Sequence, residues 1–376
     1  MGTIKLLHTA DIHIGAAESF LGFSADKRRL ETLLTFEKNI DLAKDEKVDI
    51  IAISGDLFDS NQIEDRFIDA VFEKIAKAAP IKVVFAAGNH DPLTADSPFF
   101  SKVVPQNLYV LETSNGCISF EDIGLKVYGR SFDGSYLKGE AEFGIKADND
   151  YICLMVQHGE LKSDLNSDYN SITPNFIKTS MMDYIALGHV HKRSDIAKLG
   201  NSYFAYSGCP EGQGFDELDQ KGVYIGEIGK GVCLLEFKAI SKRQHIHLKI
   251  NIEQCDSAYD ISSLILTECE KICGQAFREN LYKIELIGEL SPDFELSIPE
   301  ISARLCEELY FVKIKDSTEL AIDLDLVAKE PSLKGIFVRK MLEKQQAAEP
   351  EQKYLYEKAL KLGLRAFTRG VKYSED

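Results

Sequence analysis

Apolar residues fall into short runs and helical-period stretches that alternate along the first 230 residues. Residues 4–7 read as a strand that ends at Thr9-Ala10-Asp11. Residues 25–46 place Leu30, Leu33, Leu34, Phe36, Ile40 and Leu42 at helical spacing. Residues 49–53 form a continuous apolar run, the mark of a strand buried on both faces. A helix is expected over 64–79 and a strand over 83–86. Further strands are expected at 108–111, 125–129, 151–156, 184–187, 203–206, 222–228 and 232–237. Strands that alternate with helices early, followed by many strands, predict a layered α/β fold.

The pattern changes after about residue 240. Residues 245–252 alternate as a half-buried strand, 259–273 read as a helix and 281–288 as a strand. A helix over 298–309 and a strand over 310–315 follow. This segment reads as a smaller α+β cap. From about residue 331 the chain turns helical and basic, with ten Lys or Arg against six Asp or Glu over 333–376, and Pro350 breaks it into two helices. The expected organisation is a catalytic domain over 1–240, a capping domain over 241–325 and a helical tail over 326–376.

Composition narrows the class. With 376 residues, 44% of them hydrophobic, the chain can bury a large core without staples. No run approaches the ~18 consecutive apolar residues of a membrane span. The start carries no secretory signal pattern. The eight cysteines include no C-x-x-C pair and read as reduced thiols. A cytoplasmic protein without a membrane segment is expected. The formal net charge of −16 argues against a chain that grips a polyanion unaided. It leaves room for one that meets phosphates through cations, since cations need carboxylates.

Five segments carry the candidate chemistry. They are Asp11-Ile12-His13, Gly55-Asp56-Leu57-Phe58-Asp59, Gly88-Asn89-His90-Asp91, Gln157-His158-Gly159 and Gly188-His189-Val190-His191. Each follows an apolar strand, where the sites of α/β sheets assemble. Asp, Asn and His form an oxygen and nitrogen donor set that suits manganese, iron or zinc. In D-x-H and H-x-H, extended backbone would put both ligands on one face. The glycines at 55, 88, 159 and 188 let the chain turn and approach closely. His245-Ile246-His247 has the same spacing but no glycine turn and no Asp beside it, so it reads as structural. His8, inside the first strand, reads as a core or supporting histidine. Asp91 reads as a brace for its turn.

The order D-x-H, G-D-x-x-D, G-N-H-D, H-G, G-H-x-H resembles the calcineurin-like metallophosphoesterases over roughly residues 1–240. The opening from Ile4 to Gly15, the stretch from Tyr206 to Phe215 and the Lys221-Gly222-Val223-Tyr224 strand are similar to the SbcD and YhaO type of DNA repair exonuclease. The resemblance implies two central β-sheets flanked by helices and a centre of two divalent ions, manganese first, with iron or zinc as alternatives. It implies that Asp11, His13 and His191 hold one ion, that Asn89, His158 and His189 hold the other, and that Asp56 bridges them. A water or hydroxide between the ions would attack the phosphodiester. His90, left outside the ligand set, would stabilise the transition state or protonate the leaving group, with Asp59 orienting it. DNA is the implied substrate, an SMC-like ATPase of the SbcC type the implied partner, and a homodimer is the assembly that relatives suggest.

Two other classes compete. A phosphodiesterase or phosphatase for small molecules or phosphoproteins would fit the acidic balance and the absence of tryptophan. The 136 residues beyond 240 speak for the nuclease, because a minimal phosphatase needs no such cap. A scaffold that had lost its chemistry would have lost ligands, and none is missing here. Lys27, Arg28, Arg29, Arg66 and Arg130 are weak candidates for phosphate contacts. Leu333, Ile336, Phe337 and Met341 form an apolar stripe that meets either a partner helix or the chain's own body.

Overall fold

The computed structural model describes every residue except 1, 17–20, 23–24, 115, 141–146, 164–166, 219, 292–293 and 370–376. The chain divides into two compact units, Met1–Ile246 and His247–Asp376, and the helices after residue 326 group with the α+β segment in the second. The end of the expected tail, 370–376, lies outside the described residues.

The first unit is built on two six-stranded sheets. One runs in the order Val232–Ala239, Gly222–Gly229, Ile4–Thr9, Ile50–Ile53, Lys82–Phe85, Leu108–Val110. The other runs Ala197–Leu199, Ser202–Tyr206, Tyr184–Gly188, Ile152–His158, Leu125–Gly129, Gly116–Phe120. The central strands are the apolar runs of the sequence, and Ile50–Ile53 is buried at every position. Side chains alternate between the faces of a strand. Leu6, Ile50, Ala52 and Val84 therefore meet Val127, Leu154, Val156 and Ala186 of the other sheet in one core. Leu7, Ile51, Ile53, Val83 and Phe85 point the opposite way, onto Phe36 and Ile40 of the helix Ala25–Asp45 and Phe67, Val71 and Ile75 of the helix Asp65–Ala76. On the far side, Cys153, Met155, Ile185 and Leu187 pack on Ile177 of the helix Pro174–Ser180. The layers are helix, sheet, sheet, helix.

The parallel registers bring the motif-bearing strand ends together. Leu6 to Thr9 pair with Ile50 to Ile53, which pair with Lys82 to Phe85. In the second sheet Gly188 pairs with His158. The Ser54 hydroxyl donates to the Ala186 carbonyl at 2.9 Å and so ties the two sheets at this end.

The helix Ala25–Asp45 differs from its apolar reading. Leu30 and Leu34 are each 46% exposed. Beside Phe36, Ile40 and Ala43, the buried face carries Arg28, Glu31, Thr32, Thr35 and Asn39. Arg28 is 1% exposed and bonds Glu31 at 3.2 Å, Glu211 at 2.7 Å and the Gly212 carbonyl at 2.6 Å. Arg243 closes the cluster on Glu31 at 2.7 Å. Arg28 is thus a core residue and no phosphate contact. Arg29 is likewise engaged, with the Gly15 carbonyl at 3.0 Å and Glu64 at 3.2 Å.

The second unit carries a three-stranded sheet in the order His245–Asn251, Leu281–Ile287, Phe311–Asp316. Tyr282, Ile284 and Leu286 are buried on one face, as are Ile265 and Leu305 of the helices Ala258–Cys273 and Ile298–Cys306. The tail forms helices over Leu324–Lys329, Leu333–Ala347 and Pro350–Arg369. Pro350 opens the last of these, where a missing N–H costs nothing. The apolar stripe splits. Phe337 and Met341 pack on Val338, Leu360 and Leu364 within the unit, whereas Leu333 is 72% exposed and Ile336 is exposed beside it. No helix among the described residues is long and apolar enough to cross a membrane.

Candidate metal centre

The five motif segments meet at the carboxyl ends of the two sheets. The turn after the first strand is zipped to the turn after the second. Backbone N–H groups of Asp11, Ile12, His13 and Ile14 donate to the carbonyls of Gly55, Asp56, Asp56 and Leu57 at 2.8–3.1 Å. This pairing forces an unusual backbone. Asp11 (φ 52°), His13 (φ 49°), Asp56 (φ 50°) and His189 (φ 100°) all take positive φ. Asp, Asn and His tolerate that region best, and it costs other residues more. Asp11 and His13 converge through this left-handed turn and not, as the spacing suggested, along extended backbone.

Two glycines permit the approach. Gly55 has φ 90°, and a Cβ there would stand 2.2 Å from the His158 Nδ1. A Cβ on Gly188 would stand 1.8 Å from the Ser54 carbonyl oxygen, so the two sheets can close here only over a hydrogen.

Acceptor groups point inward. Asp11 is buried and accepts the His189 backbone N–H at 2.9 Å. Asp56 accepts the His90 backbone N–H at 2.9 Å on Oδ1. Its Oδ2 lies 3.3 Å from His158 Nε2 and 3.7 Å from His13 Nε2. His13 and His191 face each other, Nε2 to Nε2, at 3.1 Å. His158 Nε2 meets Asn89 Oδ1 at 3.0 Å. Asp11, His13 and His191 form one cluster of potential ligands, and Asp11, Asp56 and His158 another. His189 stacks on Tyr169 with ring centroids 4.8 Å apart and meets the His158 ring edge-on at 5.2 Å. All seven sequence-derived ligand positions therefore line one site.

The site holds concentrated charge. Among the described residues no Lys or Arg pairs with Asp11 or Asp56; their ion-pair partners are histidines. Buried carboxylates without a cationic partner are costly, and this donor set fits divalent cations. Burial opposes a charge on His13, but the Asp59 hydrogen bond and the charges of Asp56 and Asp11 outweigh it and lift the ring to about 9. Burial also works against the Asp56 carboxylate, yet the neighbouring histidines hold it below the ordinary range. Burial, with the His158 charge, pulls His189 below its usual value.

His90 is exposed at the rim. Its Nδ1 meets the Asp59 backbone carbonyl at 3.1 Å. The Asp59 carboxylate lies 3.8 Å from that nitrogen and bonds His13 Nδ1 at 3.2 Å instead. Asp59 thus holds His90 through its main chain and turns its side chain to His13. Asp91 is buried and accepts the backbone N–H groups of Leu57 (2.7 Å), Phe58 (3.1 Å) and Gly88 (2.8 Å), the bracing role read from sequence. Burial, with the Asp56 charge, pushes its carboxyl up to about 7. His8 bonds the Tyr184 hydroxyl at 3.0 Å and the Leu187 carbonyl at 3.1 Å, a core histidine that burial pulls down to about 3.

Sequence reasoning missed three supporting groups. The Ser54 carbonyl meets His158 Nδ1 at 2.9 Å. Glu217 Oε1 meets His191 Nδ1 at 2.6 Å. Tyr169 covers His189. Imidazole ligands are oriented by such contacts on the distal nitrogen. None of the three had a legible signal: Ser54 acts through its main chain, and Glu217 stands in an ordinary acidic run.

This fold and this site define a metal-dependent phosphoesterase. The family model of calcineurin-like phosphoesterases matches residues 4–193, and the chain belongs to that family. Its relatives include the uncharacterized metallophosphoesterase YhaO of Bacillus subtilis (strain 168), 26% identical over 255 aligned positions that cover 62% of this chain and 60% of the relative. The DNA double-strand break repair protein Mre11 of Methanopyrus kandleri is 24% identical over 253 positions, covering 62% of this chain and 54% of the relative. The DNA double-strand break repair protein Mre11 of Thermoplasma acidophilum is 26% identical over 324 positions, covering 76% of this chain and 77% of the relative. The chain spans less than two thirds of the length of the first two.

Proposed function

We propose that this chain is a phosphodiesterase with a centre of two divalent metal ions that cleaves DNA as the nuclease subunit of a cytoplasmic repair complex. The convergence of six donor side chains around the buried Asp56, with no Lys or Arg among the described residues paired to it, carries the reading. Asp11, His13 and His191 would hold one ion, Asn89, His158 and His189 the other, and Asp56 both. Such a pair of ions, manganese in the first instance, supplies Lewis-acid charge to the phosphate and lowers the pKa of water.

The chain's own groups do the rest. His158 and His191 commit their Nδ1 atoms to the Ser54 carbonyl and Glu217, which leaves Nε2 free to face inward. His90, fixed through Nδ1 to the Asp59 carbonyl and exposed at the rim, would offer Nε2 to a leaving oxygen. A positioned imidazole of this kind contributes ~10²–10⁴-fold by proton transfer.

Two observations support DNA as the substrate. The match to Thermoplasma Mre11 covers 76% of the chain and so extends past the first unit. On the second unit, the open face of the three-stranded sheet carries Lys249, Lys283, Lys313 and Lys315, a basic surface on an acidic chain. Lys283 stands opposite Lys313 in register, and Glu285 is shared between Lys249 at 3.2 Å and Lys315 at 3.4 Å. Like charges set opposite one another cost stability, which a bound polyanion recovers. The exposed Leu333 and Ile336 suit the helix of an SMC-like ATPase of the SbcC type. All eight cysteines are free thiols, which suits a reducing compartment.

The test is cleavage by manganese-loaded protein of a labelled linear duplex, a single strand and bis-p-nitrophenyl phosphate. DNA cleavage that His90→Ala reduces at least ~100-fold, with its metal content unchanged, is expected. Hydrolysis of the small diester alone would move the substrate to small phosphodiesters. His90→Ala with full activity would remove the acid role.

A further inference from the structure

The ring ligands are not backed alike. Asp59 meets His13 Nδ1 at 3.2 Å, and Glu217 meets His191 Nδ1 at 2.6 Å, so both rings of one proposed ion carry a side-chain carboxylate. His158 is backed by a backbone carbonyl, and His189 by the face of Tyr169. Glu217 is itself held in place. The Cys209 thiol and the Gln213 backbone N–H each donate to its Oε2 at 3.1 Å, and the Lys221 ammonium lies 3.7 Å away. The same segment grips His191 by its main chain. Lys221 donates to the His191 carbonyl at 3.0 Å, and the Cys209 N–H donates to it at 3.2 Å. Cys209 and Lys221 are buried, and both spend their donors here. His191, Cys209 and Glu217 lie close enough to suggest a cation site of their own. However, the His191 Nδ1 and the thiol are both occupied by Glu217, so the cluster is closed among its own members.

We propose that Glu217 is a positioning residue for the metal centre, fixing the His191 ring from behind and making the ion position of Asp11, His13 and His191 the tighter of the two. This rests on the ligand assignment proposed above. A carboxylate on the distal nitrogen fixes both the tautomer and the orientation of a ligating imidazole, and its loss weakens metal binding by roughly 10–100-fold.

The test is a titration of the metal-free full chain with cobalt(II), followed by calorimetry and by the visible absorption of the bound ion. The wild type is expected to bind in two steps of unequal affinity. In Glu217→Gln the tighter step weakens by roughly 10–100-fold while the melting temperature of the metal-free chain stays put. Glu217→Asp, which keeps the charge, recovers part of the loss. An unchanged tight step in Glu217→Gln, or two equal steps in the wild type, overturns the inference while leaving the dinuclear centre standing. A wild type that binds fewer than two ions overturns the ligand assignment and the inference with it. Should Glu217→Gln fail to fold, Glu217→Asp decides: a weaker tight step supports the role and an unchanged one overturns it.

Discussion

His13 carries the plainest consequence of the site's charge. Its folded-state value of about 9 lies above the ordinary 6.5. In the metal-free chain its contacts with Asp59, Asp56 and Asp11 therefore stabilise the fold fully below about pH 6.5, and this contribution is lost as pH rises through about 9. A cation needs the ring neutral, so binding displaces this proton. Manganese binding at pH 7 should release about one proton from His13, and affinity should climb with pH toward 9. Calorimetry in buffers of different ionisation enthalpy measures that release, and binding without any proton release would contradict it. The candidate donors were legible as a group, because Asp, Asn and His set in turns after apolar strands point to one end of the sheets. Glu217 was not, because an acid in the run Asp216-Glu217-Leu218 looks like solvated surface until His191 is seen 2.6 Å away. The left-handed backbone of Asp11, His13 and Asp56 was hidden as well, since it comes from pairing between two turns far apart in sequence.

At the level of elements, continuous apolar runs gave the central strands, and the expected strand 125–129 matches Leu125–Gly129. Short edge pieces escaped: Gly116–Phe120 and Ala197–Leu199 alternate too weakly to stand out. The helix Ala25–Asp45 misled more deeply. Phe36 and Ile40 are buried as the spacing suggested, but Leu30 and Leu34 are exposed and an ion cluster shares the buried face. Charged residues can be buried when every charge is matched, and nothing local in the sequence announces that Arg28 will meet Glu211. Arg28→Met should cost about 3–5 kcal/mol, because it leaves Glu31 and Glu211 short of a buried partner. Urea unfolding of the metal-free chain measures this; a loss below about 1 kcal/mol, the range of exposed pairs, would contradict it.

At the scale of the whole molecule, net charge and local charge part company. The value of −16 suggested a chain averse to polyanions. The lysines at 249, 283, 313 and 315 are scattered over three strands, and they become one surface only when those strands pair. The layered fold was legible because its period-2 strands and helical stretches are local signals.

The most direct test concerns Asp56, on which both proposed ion positions depend. Metal content and bis-p-nitrophenyl phosphate hydrolysis should be measured together on manganese-loaded wild type and Asp56→Asn. Two ions per chain and turnover are expected in the wild type. In Asp56→Asn, loss of bound metal and of nearly all turnover is expected. An Asp56→Asn chain that keeps both ions and hydrolyses the diester at the wild-type rate would contradict the account.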